Sequence, residues 1–133
     1  MTAQPSVPVG NYTQLMLQAT TNTGMCGPNF SDQVNANTVS QESDVRQVVA
    51  KVQLGEADAG VSYLTDVTPS VKDQVTEVMI PDEVNQLATY PIATAKGHNM
   101  AGGEAFMNYV MSPIGQDVLA HWGFLPAQWP PAD

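Results

Sequence analysis

Cysteine is almost absent from this chain: Cys26 is the only one in 133 residues. A lone thiol excludes an internal disulfide and leaves the redox compartment open, because a free cysteine is tolerated in either. Basic residues are scarce too, four lysines and arginines against thirteen aspartates and glutamates, for a formal charge of -9. A field of that sign repels phosphate backbones and anionic lipid surfaces, so no nucleic-acid partner is expected. No apolar run approaches the roughly 18 residues that a membrane span needs. The opening MTAQPSVPVG lacks both the basic and the apolar region of a secretory signal. It reads instead as the end of a strand and a turn, which favours a chain that continues a longer one over a cytosolic protein starting at Met1.

The motifs of catalysis are missing as well. Cys26, His98 and His121 are scattered without zinc spacing, so no metal is expected. There is no Gly-x-Ser-x-Gly elbow, and GEADAG has neither the ending of a phosphate loop nor the spacing of a dinucleotide loop, so no cofactor is expected either. Glu56, Asp58 and Asp66 lie close together in GEADAGVSYLTD. They would serve an enzyme only if they met in a cleft with raised proton affinity. Beside a helix end and after a strand, carboxylates more often cap or face water.

What is present is a globular composition, 43% hydrophobic and 13% charged. The length suits one compact unit, 1–125, followed by an irregular, proline-rich tail, 126–133. Pro8 and Gly10 precede Tyr12, Leu15, Met16 and Ala19 at helical spacing, which predicts a helix starting near Gly10. A polar loop follows from Thr20 to Thr38, with a short helix around Phe30 to Val34. Val45, Val48, Val49 and Val52 mark a further helix, with Ser43 as N-cap, Asp44 in the first turn and Gly55 as the stop. AGVSYL, VTEVMI and TYPIATA read as three strands. Two helices then close the chain, one from about Gly102 to Met111 burying Ala105, Phe106, Tyr109 and Val110. The other opens at Ser112 and Pro113 and buries Ile114, Val118, Leu119 and Trp122. Helices alternating with short apolar strands predict an α/β fold, a mixed, mainly parallel sheet flanked by helices.

Two helix starts, VPVGNY and SDVR, each offer unpaired backbone N–H groups and the positive end of a dipole, and converging they would form an anion site. Against that, most helix starts bind only water or their own caps. Tyr63 could add a hydroxyl at a strand end, although an aromatic in a sheet is more often core. Arg46, the single arginine, could meet an anion or pair with one of the thirteen acids.

These stretches carry a resemblance. VPVGNY, then ESDVRQVVAKVQLGEADAGVSYLTDV, then YPIATAKGHNMAGGEAFMNYVMSPIGQDVLAHWGF are similar, in order and spacing, to the second half of periplasmic molybdate-binding proteins of ABC transporters. The resemblance covers nearly the whole chain except the Thr20–Thr38 loop and the tail, and its SPIGQ…GF ending is shared by the wider class of solute-binding proteins. It implies one lobe of a two-lobed clamshell that holds a tetrahedral oxyanion, molybdate or tungstate, through neutral donors. Matched position by position, these donors are the backbone N–H of Val9, the backbone N–H of Val45 and the hydroxyl of Tyr63. Neutral donors are compatible with the acidic balance, since distant surface charge is screened over about 10 Å.

The resemblance further implies an extracytoplasmic location, an ABC permease as partner and no reaction to catalyse. The serine-bearing loops of the family's first lobe have no counterpart here, so half a site is expected. The apolar faces carrying Phe106, Tyr109, Val118 and Trp122 would normally pack near that missing lobe, and without it a homo-oligomer is expected. The same fold binding sulfate, phosphate or a small organic ligand is the main alternative.

Overall fold

The computed structural model describes residues 1–127, and the last six positions of the predicted tail lie outside the described residues. The chain divides into two compact units, Met1–Ala88 and a second from Thr89 onward.

The first unit is built around a small parallel sheet. Strand β1 (Thr2–Ala3) pairs with β2 (Gln41–Glu42), Thr2 opposite Gln41 and Ala3 opposite Glu42. The ladder runs on through Gln4, whose N–H donates to the Glu42 carbonyl at 2.8 Å. Along β1 the Met1 carbonyl also accepts from the Val61 N–H at 3.2 Å. Between the strands the chain makes helix α1 (Pro8–Thr23) and helix α2 (Phe30–Ala36), and after β2 comes α3 (Val45–Gln53). The turn at the start of the chain and the short helix near Phe30 match the expectations from sequence.

Helix α1 starts with Pro8 at its first position, where the missing N–H costs nothing. Its buried face is not the apolar series that marks the helix in the sequence. Val9, Gly10, Thr13, Leu17 and Thr20 are buried, whereas Leu15 is 42% exposed and Tyr12, Met16 and Ala19 are only half-buried. Thr13 and Thr20 can face the core because their hydroxyls donate to the carbonyls one turn back, Val9 at 2.7 Å and Met16 at 2.9 Å. A threonine satisfied in this way presents mainly its methyl group to its neighbours. The stripe that α1 buries thus joins satisfied threonines to Val9 and Leu17.

Helix α3 behaves as its valines demand, with Val48 and Val49 buried. Its cap differs from expectation: Asp44 rather than Ser43 is the N-cap, and its carboxylate accepts the Arg46 N–H at 2.7 Å. At the other end Gly55 takes a left-handed conformation, φ 72°, which suits glycine and stops the helix as predicted. Lys51 reaches back to Glu42 at 2.8 Å, tying α3 to β2.

The three predicted strands AGVSYL, VTEVMI and TYPIATA are not strands. Residues 59–63 run without regular structure into a 3₁₀ turn, Leu64–Asp66, and 75–80 and 89–95 are irregular. Val78 and Met79 are 86% and 65% exposed, so the β-branched composition of that segment has no sheet to join and no buried face to fill. The fold is thus helix-rich α/β with a parallel pair in place of the larger sheet.

The second unit contains α4 (Met100–Val110) and α5 (Pro113–His121). Asn99 caps α4 through its side chain to the Gly102 N–H at 3.0 Å, and Ser112 caps α5 to the Gly115 N–H at 3.2 Å. The corner between them is tight: a Cβ on Gly115 would lie 2.5 Å from the Val110 carbonyl oxygen. Both helices were predicted, but their predicted buried faces are not buried. Phe106, Tyr109, Ile114, Val118 and Trp122 are all more than half exposed, Ala105 is exposed, and Val110 and Leu119 are half-buried.

Candidate functional site

The two helix starts singled out by sequence stand on one apolar cluster. Ala3, Val9 and Val48 are its buried members, and Met1, Val7, Val45 and Tyr63 pack against it. Residues distant in sequence are gathered here because β1 runs directly into α1 while α3 lies against both strands. Gathering Val9 and Val48 into one cluster with Ala3 of β1 places the beginnings of α1 and α3 on a common core.

Each helix start leaves donors over. The N-cap of α1 is Val7, which has no side-chain acceptor, and Pro8 has no N–H, so Val9 carries the first N–H of the helix. In α3 the Asp44 carboxylate takes the Arg46 N–H, and the Asp44 carbonyl takes the Gln47 N–H at 3.1 Å. Among the described residues, neither the Val9 nor the Val45 N–H has a hydrogen-bond acceptor. Such groups seek water or a ligand.

Tyr63 stands at the entry to the 3₁₀ turn. Its ring meets the edge of Tyr12 from α1, centroids 6.4 Å apart and planes at 68°. Its backbone is held by Asp66: the Tyr63 N–H donates to Oδ2 at 2.9 Å, and the Asp66 N–H donates to the Tyr63 carbonyl at 3.0 Å. Burial pushes the Asp66 carboxyl above its ordinary proton affinity, the Tyr63 N–H pulls it back, the charge of Asp44 raises it and Arg46 lowers it. Arg46 pairs with Asp44 at 3.6 Å, and with its side chain 88% exposed the pair is heavily solvated.

The carboxylates considered for catalysis separate. Glu56 and Asp58 are exposed on the wall of an open cavity of about 380 Å³, while Asp66 is engaged by Tyr63. Among the described residues no group of three or more His, Cys, Asp or Glu could hold a metal ion.

Sequence reasoning did not assign a role to Tyr12, Gly10 or the Asp66–Tyr63 bracket. Tyr12 and Gly10 carry a usable signal, since both follow the first N–H donor, Val9, within the opening turn of α1. The bracket carries none, because AGVSYL has the composition of a strand running through Tyr63.

The family of bacterial extracellular solute-binding proteins matches residues 1–125. A molybdate-binding protein ModA of Mycobacterium tuberculosis is 34% identical over 122 residues, 91% of this chain and 42% of that protein. A protein of the same name from Haemophilus influenzae is 32% identical over 119 residues, 89% of this chain and 42% of its own. One from Escherichia coli is 32% identical over 81 residues, 61% and 31% respectively. The chain thus spans about two fifths of the length of the first two of these relatives. No solved structure matches it significantly. With the family matched across all but the tail, and an α/β unit beneath the match, the chain belongs to the bacterial extracellular solute-binding proteins.

Proposed function

We propose that this chain forms one lobe of the molybdate- or tungstate-binding component of an ABC uptake transporter, and that Val9, Val45 and Tyr63 are its contribution to the anion site. The observation that carries the reading is the shared cluster, which holds two uncapped helix-start donors and a phenol on one core. Amides at helix starts and a neutral hydroxyl suit a fully ionised tetrahedral oxyanion, which needs donors and no acceptor. Relatives named for molybdate support the choice of anion. A second lobe completes the site and closes over it, and the closed form engages the permease. The protein acts outside the cytoplasm, as its family's members do; among the described residues no helix is long and apolar enough to cross a membrane.

Titration calorimetry of the full-length protein with molybdate, tungstate, sulfate and phosphate tests the reading. Molybdate and tungstate are expected to bind, and Tyr63→Phe to weaken both about tenfold or more, the loss of one hydrogen bond to a charged group. Binding of sulfate, phosphate or an organic acid in preference would transfer the protein to the alternative ligand class. An affinity indifferent to Tyr63→Phe would remove Tyr63 from the site.

The exposed side chains Phe106, Tyr109, Val118 and Trp122 support a second element of the proposal, that α4 and α5 are covered by protein in the working molecule. In the 133-residue chain on its own, a second copy takes that place, and sedimentation at micromolar concentration is expected to show a dimer or larger. A monomer there would overturn the self-association.

A further inference from the structure

We propose that Asp66 is a positioning residue of the anion site, acting on the ligand only through Tyr63. The proposal rests on the reading of Val9, Val45 and Tyr63 as donors, and extends it to a group that contributes no hydrogen bond to the anion.

The geometry is a reciprocal bracket. Asp66 Oδ2 accepts the Tyr63 N–H at 2.9 Å while the Asp66 N–H donates to the Tyr63 carbonyl at 3.0 Å, closing a loop over Leu64 and Thr65. With its backbone pinned on both sides, Tyr63 has only its side-chain torsions left. The edge of Tyr12 and the Ala3, Val9 and Val48 cluster restrict these in turn. Asp66 thereby sets where the phenol oxygen stands. The other acids of GEADAGVSYLTD, Glu56 and Asp58, are exposed and make no such contact.

The charge of Asp66 makes the role testable. The carboxylate is half-buried, desolvated and within the field of Asp44 on α3, with Arg46 of the same helix partly offsetting both. Tyr12 of α1 meets Tyr63 in a T-shaped ring contact. A negative group beside an anion site repels the anion, so Asp66 acting by charge alone would make every neutral substitution tighten binding. A positioning role makes the outcome depend on whether the acceptor survives. Asp66→Asn keeps a carbonyl oxygen for the Tyr63 N–H and loses the charge, whereas Asp66→Ala loses both.

The experiment measures molybdate affinity of the full-length protein as Asp66→Asn, Asp66→Ala, Tyr63→Phe and the Asp66→Ala/Tyr63→Phe double variant. Amide exchange at Tyr63 is measured without anion. Asp66→Ala is expected to bind about three- to tenfold more weakly and to exchange the Tyr63 amide faster. Asp66→Asn is expected to bind at least as well as the unsubstituted protein and to keep the amide protected. The double variant is expected to be no weaker than Tyr63→Phe alone, since a residue acting through the phenol has nothing left to act on. If Tyr63→Phe weakens binding but Asp66→Ala tightens it, leaves the amide protected or adds fully to Tyr63→Phe, the role of Asp66 is overturned and the site stands. If Tyr63→Phe itself leaves molybdate affinity unchanged, the site reading fails and takes Asp66 with it.

Discussion

Replacing Gly10 by alanine should damage stability and anion binding together. Gly10 is the third residue of α1, one position beyond the proposed Val9 donor, and its Cα lies against the end of β1. A Cβ built there falls 2.6 Å from the Ala3 carbonyl oxygen and closer still to that of Gln4. Both are backbone atoms, one of them in β1 and the other in a residue whose N–H is bonded to β2, so neither can rotate away. Even a favourable C–H···O contact sits at about 3.3 Å, so the start of α1 must retreat by at least about 0.7 Å to clear the Ala3 oxygen and by more to clear that of Gln4. Overpacking of that kind costs about 1–3 kcal/mol, of which the better helix propensity of alanine returns up to about 1. For binding, the same retreat stretches an N–H···O bond of about 2.9 Å to about 3.6 Å or more, beyond useful reach. One hydrogen bond to a charged ligand is lost, about 1.5–3 kcal/mol, or about 10- to 150-fold in affinity. Urea unfolding reads the first effect and calorimetric titration of the full-length protein with molybdate reads the second. A Gly10→Ala protein with unchanged midpoint and unchanged affinity would refute the reasoning, because it would show that α1 does not need its close seat on β1.

Val48→Ala, at a position 1% exposed in the cluster beneath both helix starts, should lower unfolding free energy by about 2 kcal/mol in urea, two methyl groups plus an incompletely filled cavity. Asp44→Ala removes the cap that accepts the Arg46 N–H and should cost about 1 kcal/mol by the same measurement, while Ser43→Ala, at the position sequence alone suggested, should be nearly silent. The Glu42 carboxyl is held below its ordinary value of 4.5, first by the hydrogen bond from Lys51 and then by that from Ser40. A depressed carboxylate stabilises the fold above its unfolded value and loses that contribution as pH falls through its folded value. Unfolding curves between pH 7 and pH 3 should therefore show unsubstituted protein ahead of Glu42→Gln at neutral pH, with the gap closing below about pH 4.5. A gap independent of pH would mean that packing, not charge, ties β2 to α3.

Most helices could be read from the chain, because the information for them is local. Pro8 at a helix start, the valines of α3 at spacing three and four, Gly55 as a stop and the Ser112–Pro113 entry to α5 each act within a turn or two. The two helix starts were legible for the same reason, since a helix start announces itself by its breakers and caps, whereas Val9 and Val45 as the donors came from the family resemblance. Other features were not local. The stripe that α1 buries depended on hydroxyls finding carbonyls one turn back, which makes Thr13 and Thr20 core residues although their side chains are polar. Strand assignment failed at VTEVMI because β-rich composition becomes a strand only when another strand lies alongside, and here none does.

By itself, then, the order of residues determined about where helices begin and end, that such beginnings leave backbone amides over, and the acidic field around them. Only the tertiary structure decided that Val9, Val45 and Tyr63 share one cluster and that Asp66 grips the backbone of Tyr63. The physical reason is range. A cap or a breaker acts over four or five residues, whereas gathering Val9 and Val48 into one cluster requires the parallel pairing of β1 with β2 across the whole of α1 and α2.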